Sequence, residues 1–143
     1  MNDEKNIYAM PNLGCMTGTA YHILEGQLAE ALRGAGLDIS TPEYLVLRAL
    51  RNRDGMQQCE LGEVIGKDKS AISRTVSGMA RRGLVATEQV SHKCQRVWLT
   101  DSARAIMPDV LRVAAERHKA LTDMCTPEEL EAFSAVLKKI INN

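Results

Sequence analysis

Ser70, Arg74, Ser77 and Arg81 recur at intervals of four, three and four residues. On a helix turning about 100° per residue they fall within about 60° of one another. Ile72, Val76, Met79 and Ala80 fall on the other side. One face is therefore apolar, and the opposite face offers hydroxyls and guanidiniums without a carboxylate. That is the division of labour of a DNA recognition helix, in which one face anchors the helix and the other donates to base edges and phosphates. An ordinary amphipathic surface helix would show the same split, so the flanking elements must decide.

Apolar residues from Leu13 to Leu32 recur every three or four positions and predict a long helix closing at Gly34 or Gly36. Thr41 as N-cap and Pro42 at the first position open a second helix, which runs to the Asn52-Arg53-Asp54-Gly55 loop. Residues 58–65 form a short third helix, buried through Leu61, Val64 and Ile65, and a turn at Gly66 leads into the helix of residues 69–82. Residues 84–90 and 95–100 then predict two strands around a polar turn of residues 91–94. Val97 and Leu99 should face the core and Trp98 the opposite side. A helix from Thr100-Asp101 to about residue 121 follows. A last helix opens with Thr126, Pro127 and the capping-box residue Glu129, and is expected to bury Leu130, Phe133, Val136, Leu137 and Ile140. Two short helices joined by a tight turn, then a hairpin, make a winged helix-turn-helix. The fold class is mainly α with a small β-hairpin.

Composition agrees once its distribution is considered. Net charge is zero over 143 residues. Residues 69–100 nevertheless carry six positive charges against Glu88 alone, which leaves the rest of the chain five charges negative. A basic block in an acidic remainder presents one surface to an anion. The polar start MNDEKN and the absence of an apolar run of about 18 residues predict a cytoplasmic protein without a membrane segment. Nothing pairs a nucleophile with a base and no glycine-rich phosphate loop is present, so an enzyme is not expected. Neither a metal site nor a cofactor is expected: Cys15, Cys59, Cys94 and Cys125 stand singly, and no histidine has ligand spacing to another.

The order helix, helix, helix-turn-helix, wing, helix, helix resembles the MarR (multiple antibiotic resistance regulator) family of bacterial transcription factors. The resemblance rests on Thr41-Pro42-Glu43-Tyr44-Leu45-Val46-Leu47, Glu60-Leu61-Gly62-Glu63, Lys67-Asp68-Lys69-Ser70-Ala71-Ile72-Ser73-Arg74, Arg82-Gly83-Leu84-Val85 and Val97-Trp98-Leu99-Thr100, and spans residues 13–141. It implies a flexible arm over residues 1–12 and a single domain over 13–143. Within that domain a winged helix-turn-helix (41–100) lies between dimerisation helices (13–35 and 101–141). It also implies a homodimeric repressor on an inverted-repeat operator in double-stranded DNA, released by a small-molecule effector.

The DNA-binding candidates are Lys69, Ser70, Ser73, Arg74, Ser77, Arg81, Lys93 and Arg96. The family's wing commonly carries Asp-x-Arg, where this chain has Ser91-His92-Lys93; lysine lacks arginine's planar donor fork. Tyr21, His22, Tyr44 and Met107 are candidate walls of an effector pocket. Cys15, placed where the peroxide-sensing branch of the family has its reactive thiol, and Cys94, beside His92 and Lys93 in the wing, are candidate redox positions. No positive charge flanks Cys15, so DNA release is expected to be independent of its oxidation. The alternatives are a thiol-oxidation-sensing repressor and a winged-helix protein-interaction module.

Overall fold

A computed structural model describes residues 12–143. In chain order the elements are α1 (Leu13–Gly34), α2 (Thr41–Asn52), β1 (Met56–Gln57), α3 (Gln58–Ile65), α4 (Lys69–Arg81), β2 (Val85–Ser91), β3 (Cys94–Leu99), α5 (Asp101–Thr122) and α6 (Pro127–Ile141). The expected N-terminal arm lies outside the described residues except for Asn12, which caps α1 by accepting from the Cys15 amide at 3.0 Å.

The caps explain the boundaries. Thr126 and Glu129 form the expected reciprocal box on α6. On α2 the box belongs to Ser40 and Glu43, one residue before the expected Thr41. The Thr41 hydroxyl instead points inward: buried, it donates to the Glu25 carbonyl at 3.0 Å and ties α2 to α1.

The sheet has three antiparallel strands in the order β1-β3-β2. β1 was not expected. It is two residues long and exists because Met56 and Gln57 pair with Val97 and Arg96. The β2–β3 hairpin is tighter than predicted: Ser91 pairs with Cys94, so the tip is His92-Lys93 alone, and an irregularity lies between Gln89 and Ser91. Val97 and Leu99 are buried and Trp98 is partly exposed, as the alternation requires.

One core joins Leu32 of α1, Leu47 and Leu50 of α2, Leu61 of α3, Val76 and Met79 of α4, Val97 of β3 and Val110 of α5. Val64, expected in this core, is 65% exposed; Gly62 is the residue α3 buries beside Leu61. The final helix also departs from expectation. Phe133, Val136 and Ile140 are exposed, Leu130 and Leu137 are half-buried, and no residue of α6 is buried. On α1, Leu13, Met16, Ile23 and Leu24 are likewise exposed. Both terminal helices thus carry apolar stripes that the described residues do not cover. No helix among the described residues is long and apolar enough to cross a membrane.

Candidate nucleic-acid interface

The geometry of the helix pair starts at two glycines. Gly66 ends α3 in the left-handed conformation (φ 69°), and the Lys67 amide returns to the Gly62 carbonyl at 2.9 Å. Gly62 lets α4 approach: a Cβ there would lie 3.2 Å from the Lys67 carbonyl oxygen and 3.4 Å from Ile72 Cγ2. Asp68 then starts α4 by accepting from the Ala71 amide at 2.8 Å. Ile72, Val76 and Met79 bury the inner face. Lys69, Ser70, Ser73, Arg74, Ser77 and Arg81 lie on the remainder, and all six are exposed.

The basic block does not act as one patch. Arg82 turns inward, pairing with Glu43 and with the Asp38 carbonyl and lying 3.7 Å from the Asp38 carboxylate. It therefore clamps the end of α4 to the start of α2. Arg96 is half-buried and donates to the Gly55 carbonyl at 2.9 Å, so it braces the root of the wing. Lys69, Arg74, Arg81 and Lys93 make no ion pair among the described residues. These four are the cations left facing solvent on α4 and the wing tip. Between Lys69 and Lys93 lies a groove of about 770 Å³ lined by Lys67, Glu63, His92, Cys59 and Cys94, among others.

Sequence reasoning missed the node that fixes the wing. One oxygen of Asp54 accepts from the Leu99 and Gly55 amides at 2.9 and 3.0 Å, and the other holds Arg104 at 2.7 Å. Gly55 has φ 71° and lies under the Trp98 ring, which occupies the space a Cβ would need. Thr100 continues the attachment, donating to the Gly83 and Leu84 carbonyls and accepting from the Ala103 amide. The Asp54-Gly55 pair signalled a turn, but nothing local identified Leu99 or Arg104 as partners.

The four candidate pocket residues are not brought around one cavity. Met107 lines a cleft of about 560 Å³ with Leu50, Arg51, Leu99, Arg104 and Leu111, whose walls include none of the other three. Tyr44 is half-buried against the core, while Tyr21 and His22 are exposed on α1. Cys15 and Cys59 are exposed, and Cys94 and Cys125 are half-buried.

Comparison with known proteins places this arrangement. The family model described as the MarR family matches residues 37–93. The transcriptional regulator HosA of Escherichia coli is 26% identical over 107 residues, covering 73% of this chain and 79% of HosA. A MarR-family regulator from Silicibacter pomeroyi is 25% identical with a TM-score of 0.72, over 91% of this chain and 88% of that one. BpsR of Bordetella bronchiseptica, whose DNA binding is regulated by 6-hydroxynicotinic acid, superposes with a TM-score of 0.83 at 17% identity, over 92% of this chain and 95% of its own. The winged helix-turn-helix built around α3 and α4 is thus the part of the chain that matches the MarR family, and the chain as a whole is similar to these transcriptional regulators.

Proposed function

We propose that this regulator is a homodimeric repressor that reads an inverted repeat through α4 and is released by a small-molecule effector. The observation that carries the DNA reading is the outer face of α4, where Ser70, Ser73, Arg74 and Ser77 stand opposite a fully buried anchor. Arg74 is the one long bidentate donor among them and reads a base edge in the major groove, guanine being its best partner. Lys69 and Arg81 flank it and contact phosphate. Lys93 at the wing tip adds a phosphate contact, and Arg96 keeps the wing in place through Gly55.

The dimer is supported by the uncovered stripes of α1 and α6. Burying an exposed residue such as Phe133, Ile140 or Leu13 is worth about 1.5–3 kcal/mol each, and stripes of this extent mark an interaction surface. In this reading residues 13–35 and 101–141 form the dimerisation unit and residues 41–100 the DNA-reading unit. Two-fold symmetry sets two copies of α4 roughly 34 Å apart, one turn of the duplex.

The effector enters the cleft beside Met107. Its walls are apolar at Leu50, Leu99 and Leu111, Arg104 is paired with the Asp54 carboxylate, and Arg51 is the cation left for a small amphiphilic acid. Regulation of BpsR by 6-hydroxynicotinic acid is consistent with that chemistry. Tyr21 and His22 become walls only where a second copy covers α1. The test is selection of duplexes from a random library. An enriched inverted repeat, released by a small aromatic or aliphatic acid, is the expected result; binding without sequence preference would contradict it.

A further inference from the structure

Arg82 follows α4 directly, and both terminal nitrogens of its guanidinium are engaged. One donates to Glu43 Oε2; the other donates to the Asp38 carbonyl and lies 3.7 Å from the Asp38 carboxylate. Glu43 uses its second oxygen at the start of its own helix, where Oε1 accepts from the Ser40 amide at 3.2 Å. With side chains 39% and 15% exposed, Arg82 and Glu43 form the most shielded ion pair among the described residues. The segment they grip is itself held: Ile39 is buried, and the Thr41 hydroxyl donates to the Glu25 carbonyl of α1.

This matters for α4 because its inner contacts are apolar. Packing of Ile72, Val76 and Met79 keeps the helix against the core, but such contacts are non-directional and do not fix its angle. Directional bonds at the two ends do that. At the start these are the Asp68 cap and the close approach at Gly62. At the far end the Thr100 hydroxyl donates to the Gly83 carbonyl at 2.6 Å on the wing side, and Arg82 reaches α2 on the other. Arg74 lies eight residues before Arg82, about 12 Å along the axis. A bidentate contact to a base edge is productive only within about 10–20° of its ideal geometry, so a small swing of α4 costs the contact. We propose that Arg82 is a positioning residue for sequence reading: through Glu43 it sets the angle of α4 so that Arg74 meets its base, without itself meeting DNA. The inference rests on the DNA reading proposed above.

The test measures the full-length parent, Arg82→Ala, Glu43→Gln and the double variant on a selected duplex over a range of salt. Glutamine has one acceptor oxygen where Glu43 uses two, so it cannot serve both Ser40 and Arg82. Each single variant should lose about tenfold in affinity for the selected duplex, and the double variant no more than either. The slope of log affinity against log salt should stay at the parent's value. The two other accounts differ in sign. If Arg82 contacts phosphate, Arg82→Ala lowers the slope by about one. If charge alone acts, Glu43→Gln removes a negative charge and binds as tightly as the parent or more tightly. Either result overturns the proposal, as do losses that simply add. Amide hydrogen exchange of the free proteins should be faster over residues 79–84 in both single variants and unchanged in Arg81→Ala; unchanged exchange in Arg82→Ala would show that Arg82 does not hold the helix end. A parent that binds all duplexes alike would remove the reading, while the exchange comparison would still decide the hold, so the two failures are distinguishable.

Discussion

Asp54 grips Arg104 at 2.7 Å with one carboxylate oxygen while the other accepts the Leu99 amide at 2.9 Å. A single side chain thus joins the turn after α2, the last residue of β3 and the first turns of α5. The two halves of this contact differ in worth. Arg104 is 54% exposed, so its ion pair is screened by water and contributes little. The Leu99 amide belongs to a buried residue and loses its acceptor if the carboxylate is removed.

Asp54→Ala should therefore lower unfolding free energy by about 1–3 kcal/mol, the cost of stranding a buried donor. Arg104→Ala should cost less than about 1 kcal/mol. Asp54→Asn, which keeps an acceptor oxygen, should fall near Arg104→Ala. Urea unfolding of the three variants distinguishes them; equal losses for Asp54→Ala and Arg104→Ala would show that the ion pair, not the amide bond, carries the node.

Gly55 tests the wing root from the other side. Gly55→Ala must hold a side chain at φ 71° and displace the Trp98 ring. A loss of about 1–3 kcal/mol is expected from overpacking and backbone strain together. A variant as stable as the parent would mean that the ring moves aside freely.

Assembly is tested at Leu137, half-buried on a helix with no fully buried residue among the described residues. A carboxylate there would be stranded in the proposed interface, so Leu137→Asp should shift the protein to monomer. Sedimentation at micromolar concentration reads the outcome. A parent chain already monomeric under those conditions would remove the basis for paired half-sites.

What could be read from sequence was local. Thr126, Pro127 and Glu129 specify the start of α6 because every group of that cap lies within four residues. The faces of α4 and the alternation of Val97, Trp98 and Leu99 follow from helix and strand periodicity alone. The rest depended on partners distant in the chain. Ser40 and Thr41 are equally good caps until the Glu25 carbonyl claims the Thr41 hydroxyl. Arg82 looks like part of a basic face until Glu43 and Asp38, 39 and 44 residues earlier, are folded against it. β1 has no strand pattern of its own and is defined by β3. Phe133 and Ile140 have the periodicity of a buried face, but periodicity does not supply a covering element, and the described residues leave both exposed.

The central claim, that the outer face of α4 reads DNA sequence, is tested most directly by comparing the parent and Arg74→Ala on the selected duplex and on scrambled duplexes at matched salt. Arg74→Ala should lose about 1–3 kcal/mol on the selected sequence and relax the preference for one base pair in each half-site. Arg81→Ala, measured alongside, should weaken all duplexes alike, as a phosphate contact does. If Arg74→Ala binds the selected duplex as tightly as the parent, with the same preference over scrambled sequence, α4 is not the reading element.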